Sequence, residues 1–400
     1  MAEVKMQEPI RDAMKLSKGK ALVLGLQHAF TMFGATILVP ILTGLDVSVS
    51  LFMAGVCTLL FHFITKMKVP VFLGSSFAFV GPILAAAAVA GTDSLAYARG
   101  GIVVAGLLYC IIAFLIYKFG VDKVVSFFPP IVTGPIIMVI GITLAPTAIN
   151  MAAENWFLAI VAFIVVLIVN MYAKGFLQII PVITGLVIGY IVAMVTGNVD
   201  YTPIIEASWL GLPNFEIAKF SWETIIIVAP IALATTVEHI GAVIAVGATI
   251  EDDFLENPGL HRTMIGDGIG TSLSALFGGP ANTTYSENTG VLALTKVWDP
   301  VVMRIAAGFA IILGGVPKLA AMISTIPSAI IGGISIILFG MIAAVGARTL
   351  IENQVDFKKS KNLLIAATIL ILGFGGEAVP GGMALAAIVS IVLSKVLPEK

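Results

Sequence analysis

Charge is scarce in this chain: only 11% of its 400 residues are Asp, Glu, Lys or Arg, against roughly a quarter in an ordinary soluble domain. That scarcity excludes a conventional water-soluble fold. With 59% of the residues hydrophobic, there is too little polar surface to cover the core such a chain would need. Net charge is missing as well. The 23 acidic and 22 basic side chains nearly cancel, so the chain has neither the positive field that holds nucleic acid nor an acidic tail. Cysteine is almost absent: Cys57 and Cys110 lie in apolar runs without metal-ligand spacing. Both read as packing residues, and no metal or cofactor is expected. The first 20 residues lack an apolar stretch with a cleavage site, so they are expected to form a short amphipathic cytoplasmic lead and not a removable signal.

What is abundant is long apolar sequence. A spanning helix needs about 20 mostly apolar residues. Full-length candidates begin near Ala21, Ser48, Gly100, Pro130, Trp156, Ile179, Thr224, Val301, Ser328, Asn362 and Gly382, and shorter, broken ones near Ser76, Thr263 and Tyr285. The expected fold is therefore an all-α membrane protein of 14 transmembrane segments. Loop charge tests the count independently, because a missed helix would swap the sides of every later loop. With the N-terminus inside, 19 of the 22 basic residues fall on the inner side, including Lys5, Lys15, Lys118, Lys123, Lys395 and Lys400. Only Arg99, Lys219 and Lys318 fall outside. Both termini are thus expected in the cytoplasm of a multi-pass cell-membrane protein.

The chain also repeats itself. Gln27-His28 is echoed by Glu238-His239 at an offset of 211, Ser75-Ser76-Phe77 by Thr283-Thr284-Tyr285 at 208, and Pro129 with Gly134 by Pro327 with Gly332 at 198. Two halves of seven segments, an odd number each, must be inverted relative to one another, which is transporter architecture. The expected division is a lead at 1–20, a first repeat at 21–198, an external loop at 199–222 and a second repeat at 223–400.

Charges inside spanning segments are costly and mark function. Glu238 lies in the apolar run from Ile225 to Ala248, and Glu287 follows Tyr285-Ser286 at the start of a short segment. No intramembrane Lys or Arg is evident as a partner for either. The Ser75-Ser76-Phe77 and Thr283-Thr284-Tyr285 stretches each follow a Gly- or Pro-rich break. Unwound backbone at membrane depth is tolerated where it lines a cavity or meets a ligand. Half-helix N-termini would then supply donors and the two glutamates acceptors. A planar heterocycle with adjacent C=O and N–H groups fits both sets, with Phe77 or Tyr285 as an aromatic contact.

The stretch Glu287-Asn288-Thr289-Gly290, followed by Thr295-Lys296, resembles the signature of the nucleobase/ascorbate transporter family. Around it, Asn282-Thr283-Thr284-Tyr285, Pro258-Gly259-Leu260-His261-Arg262, Gly74-Ser75-Ser76-Phe77-Ala78-Phe79 and Gln27-His28 with Met32-Phe33-Gly34-Ala35 resemble its uracil permease branch. The similarity runs from about Leu24 to Leu397. It implies a seven-plus-seven inverted repeat with a core domain (segments 1–4 and 8–11), a gate domain (5–7 and 12–14) and short strands in segments 3 and 10. It also implies that Glu238 and Glu287 accept the ring N–H groups of a nucleobase, most simply uracil. The backbone amides of Phe77 and Ser286 would donate to its carbonyls, and Tyr285 would pack beside it. His28 and Asn288 stand as supporting residues. The expected partners are the nucleobase, protons, the bilayer and a second copy of the chain.

Two positions depart from that branch: Ser286 stands where Gly is usual, and Ala242 where a His is usual, on the face of Glu238 at spacing i, i+4. With that imidazole absent, Glu238 becomes the candidate proton carrier, since a bare carboxylate in an apolar barrier is costly and a bound proton removes the cost. His28 and His239 are expected to be satisfied structural groups, and His62 and His261 interfacial or loop residues. The alternatives are a purine (xanthine-type) carrier or an uncoupled facilitator of the same fold, an inorganic-anion carrier, a channel, and, from another class, a membrane-embedded hydrolase. Two pocket acids would repel an anion, and no soluble regulatory domain is expected after Lys400. A hydrolase has little to work with: Glu238 and His239 point about 100° apart on a helix, and no HExxH, GxSxG or Gly-Lys-Ser/Thr loop occurs. The chain is expected not to be an enzyme.

Overall fold

The computed structural model describes residues 8–12, 16–375 and 382–398. Lys5, Lys15 and Lys400, counted above as inner-side charges, lie outside the described residues. Helices dominate. The chain opens with α1 (Lys18–Thr43), stopped by Gly44 in the left-handed region, whose N–H returns to Pro40 O at 2.8 Å. Asp46 then caps α2 (Val47–Ile64) by accepting from Val49 N at 2.8 Å. A three-residue strand β1 (Leu73–Ser75) and a single 3-10 turn at Phe77–Phe79 lead into α3 (Val80–Ala90), followed by α4 (Ser94–Phe119).

Next come α5 (Pro130–Thr143), α6 (Ala145–Ala153), α7 (Trp156–Tyr172) and α8 (Pro181–Val195). After a long connection, α9 (Trp222–Val228) and α10 (Ile231–Ile250) run almost end to end, then α11 (Leu260–Leu276), a second strand β2 (Asn282–Thr284) and α12 (Ser286–Thr295). The chain closes with α13 (Val301–Gly314), α14 (Pro317–Ser324), α15 (Ser328–Glu352), α16 (Ser360–Phe374) and α17 (Gly382–Val396).

A helix begins within about two turns of every segment start expected from the sequence. By length and composition, six helical stretches among the described residues can cross a membrane, or seven if α13 and α14, bent by 79° at their break, make one span. The full-length candidate expected from Val301 is thus broken in two by that bend. Its cause is Gly314-Gly315-Val316-Pro317, where proline cannot continue the preceding helix.

The helices sort into two packing groups. α1 to α4 pack with one another and with α9, α11 and α13, and α10 packs on α12. Separately, α15 packs on α5, α6 and α7, α8 on α7, and α16 on α5 and α17. Glycine makes the closest of these contacts possible. A methyl on Gly268 would meet the Gly106 carbonyl oxygen at 2.6 Å, so α11 and α4 touch backbone to backbone.

Arg99, expected as an outer-loop charge, is instead 1% exposed within α4. Its guanidinium bonds the Glu216 carboxylate and donates to the Glu216 carbonyl at 2.8 Å, which secures the long 199–222 connection. Burying that charge is tolerable because it is paired and hydrogen-bonded. Nearby on the surface, Lys219 donates to Asp93 at 2.6 Å, and this bond holds its ammonium above the ordinary lysine range. His62 is a second correction. It is fully buried in the last turn of α2, its Nε2 lying 2.9 Å from Val71 O.

Candidate functional site

The site is built on β1 and β2, which pair antiparallel with Leu73 opposite Thr284, Gly74 opposite Thr283 and Ser75 opposite Asn282. Their outer bonds extend the ladder: Ser76 N donates to Ala281 O at 2.9 Å and Tyr285 N to Phe72 O at 3.0 Å. Two hydroxyls hold the remaining backbone edges. Thr58 of α2 accepts from Leu73 N at 2.9 Å, and Thr271 of α11 accepts from Asn282 N at 3.2 Å. Pairing is compulsory here, because unwound backbone inside an apolar body has no water to bond.

Each strand hands over to a helix with a free N-terminus. The turn at Phe77 and the start of α12 at Ser286 have no side-chain cap, and the first N–H groups of a helix have no intrahelical acceptor. These donors, with the partial positive charge of a helix start, face a cavity of about 290 Å³, near the lower bound of small-ligand sites. Ser75, Phe77, Glu238, Tyr285, Ser286 and Glu287 line it. All five of the residues expected to contact a ligand, Glu238, Glu287, Phe77, Ser286 and Tyr285, are therefore together. Glu238, Ser286 and Glu287 retain accessible surface although protein encloses them, because they face this cavity. Among the described residues no Lys, Arg or His forms an ion pair with either glutamate.

Tyr285 is fixed in place. Its hydroxyl donates to Ser75 O at 2.9 Å and lies 3.3 Å from Thr36 Oγ1, while Ser75 Oγ donates to Thr36 O at 2.9 Å. Gly74 faces the ring so closely that an added methyl would overlap its carbons. The opposite wall comes from the other packing group: Ile137 and Ile140 of α5 and Leu338, Met341, Ile342 and Val345 of α15. Phe77 meets Phe339 of α15 edge-on, ring centroids 6.4 Å apart. The sequence reading missed this wall. The stripe at 338, 341, 342 and 345 has helical spacing that looks the same whether it meets lipid or a cavity.

His28, Asn288 and Ala242, the supporting residues expected from the sequence, are not among the cavity lining. His28 and Asn288 are buried together, with Asn288 Nδ2 3.1 Å from His28 Nδ1 and also donating to His28 O at 3.1 Å. Ala242 is buried on α10. His239, next to Glu238, faces away into a second polar cluster. Its Nδ1 lies 3.0 Å from Asp267 Oδ2, within ion-pair range though not aligned as a linear hydrogen bond, and its Nε2 lies 3.0 Å from Thr263 Oγ1. His239, Asp267 and Thr263 have no exposed surface, and Tyr109 bonds Thr235 alongside. Asp267 was also missed from the sequence. The one signal available was an acid in the short segment near Thr263, flanked by Gly266 and Gly268.

Comparison with known proteins adds five findings. The Xan_ur_permease model, described as a permease family, matches residues 19–382. The uracil permease of Bacillus caldolyticus is 42% identical over 418 residues, covering 99% of this chain and 96% of the relative. The uracil permease of Escherichia coli K12 is 40% identical over 392 residues, covering 94% and 90%. Among solved structures, the transmembrane domain of the cyanobacterial bicarbonate transporter BicA superposes with a TM-score of 0.68 at 16% identity, covering 95% of this chain and 98% of that one. The murine anion transporter Slc26a9 in its inward-facing state does so at 0.68 and 12%, covering 95% and 68%. At such identities the structural likeness speaks for the fold alone.

Proposed function

This chain belongs to the nucleobase/ascorbate transporter family, is a multi-pass membrane transporter and not an enzyme, and from that premise we propose that it imports uracil by proton symport through the Glu238–Glu287 cavity. The observation that carries the reading is the make-up of that cavity, two carboxylates without a cationic partner beside two helix N-termini without side-chain caps. Uracil's ring alternates N–H and C=O groups, so its donors meet Glu238 and Glu287 and its acceptors meet the backbone amides of Phe77 and Ser286. Tyr285 packs beside the ring. A small anion such as bicarbonate would meet two carboxylates at close range, which disfavours it.

The wider reading follows. The two packing groups act as core and gate domains of a 14-crossing, seven-plus-seven inverted repeat, with repeats at 21–198 and 223–400, both termini in the cytoplasm of the cell membrane, and two copies forming a homodimer. The cavity lies between the groups, so relative movement would open it to one side at a time. Glu238 takes up a proton with the substrate and releases it inside, which spares the barrier crossing a bare charge. Ala242 leaves it without the imidazole usual in this branch.

Uptake into proteoliposomes tests the reading. Labelled uracil is expected to accumulate when the outside is acid, ahead of thymine, xanthine, hypoxanthine and ascorbate, and uracil addition without an imposed gradient is expected to acidify the lumen. Preference for xanthine would move the substrate to the purine side. Full-rate uracil entry with no proton movement would leave a facilitator.

A further inference from the structure

A second cavity lies where α4, α10 and α17 meet. Its volume is about 480 Å³ and its lining is almost wholly apolar. Two helical stripes form its walls. On α4, Ile112, Leu115 and Phe119 follow one face over about 10 Å, and on α17, Ile388, Ile391 and Val392 follow one over about 6 Å. Leu233, close to the middle of the Trp222–Ile250 stretch, closes the deep end. The cleft is open: Phe119 is 47% and Val392 53% exposed.

Both stripes end in lysine, and the lining rings position the ammonium groups. Lys118 and Lys123 stand 5.4 and 5.2 Å from the Phe119 ring centroid. Lys395 stands 4.4 Å from that of Phe127, another lining residue, and donates to Ser126 O at 2.9 Å. A cation held over an aromatic face keeps its outer side free for an anion. Asp122, in the same turn as Lys123, offsets one of the three charges. The result is an apolar slot running inward from a rim of net positive charge, on the side that the loop charges assign to the cytoplasm.

We propose that this cleft is a binding site for one anionic phospholipid, its acyl chain between α4 and α17 and its headgroup phosphate on Lys118, Lys123 and Lys395. Charge complementarity selects the headgroup, and the depth of the slot selects a tail-bearing ligand over free phosphate. Since α4 belongs to the first packing group and α17 to the second, the lipid touches both.

Native mass spectrometry of the full chain in detergent, titrated with phosphatidylglycerol or phosphatidylcholine, tests the site independently of any transport activity. The wild type is expected to retain one phosphatidylglycerol with a preference of at least about tenfold over phosphatidylcholine. The combined exchange Lys118→Gln, Lys123→Gln and Lys395→Gln is expected to abolish the preference, and Ile388→Trp, which fills the slot and keeps the lysines, to abolish retention. Equal preference in the wild type and the lysine variant overturns the proposal. So does displacement of the lipid by millimolar inorganic phosphate, or full retention by Ile388→Trp, either of which would mean a headgroup contact without a tail site.

Discussion

The cavity acids Glu238 and Glu287 and the enclosed acid Asp267 differ in what surrounds their oxygens. The glutamates face space, a pair of free helix N-termini and no cation. Asp267 faces His239 at 3.0 Å with no exposed surface. Glu238 and His239 are adjacent, so the roughly 100° turn between successive helical residues sends one side chain into the cavity and the other into the packed interior between α10 and α11. An acid left unpaired before a cavity is available to a ligand. An acid enclosed against a histidine of the neighbouring helix is not.

That contrast can be broken most sharply at Glu238. Glu238→Gln keeps the shape and one acceptor but removes the titrating oxygen, and uracil accumulation driven by a pH gradient is expected to vanish, while the variant still inserts and elutes as the wild type does. Retained gradient-driven accumulation would move the proton elsewhere. Next in size, Asp267→Asn disturbs a fully buried contact with His239. It is expected to appear as a large drop in thermal midpoint, with uracil affinity of the folded fraction nearly unchanged. A variant of normal stability that no longer binds uracil would erase the distinction between the two kinds of acid.

Glu287→Gln presents N–H groups where the ring already presents a donor. Losing a hydrogen bond to a charged group costs about 1.5–3 kcal/mol, so equilibrium binding should weaken by about ten- to a hundredfold without loss of stability. The smallest effect is expected at Gly74. Gly74→Ala pushes the Tyr285 ring from its seat between Ser75 and Thr36, and uracil binding is expected to weaken by about tenfold, the cost of a modest strain and a shifted aromatic contact. Unchanged binding would show that Tyr285 does not touch the base.

The cavity acids were legible in the sequence because an acid in a long apolar run has few structural explanations. The broken helices at Phe77 and Ser286 were legible because Gly, Pro, Ser and Thr interrupt apolar stretches there. Asp267 was not, since Gly266, Gly268 and Gly270 make its stretch read as a short, broken segment, although they serve close packing against α2 and α4. The apolar wall of the cavity could not be told from a lipid-facing stripe. Arg99 was read as an outer-side charge and His62 as an interfacial or loop residue because their partners, Glu216 and the Val71 carbonyl, lie elsewhere in the chain and are joined to them only by folding.

The pairing of Ser75 with Asn282 and Leu73 with Thr284 also has a consequence for biogenesis. The two strands are separated by roughly two hundred residues, so the first waits, with its edge bare, until the ribosome has delivered the second. Contacts of such long range form late. A product truncated before Asn282 would carry an unpaired strand inside the membrane, where each unmet backbone group is costly, and would be a ready substrate for membrane proteases. Only chains that extend past Thr284 can complete the ladder.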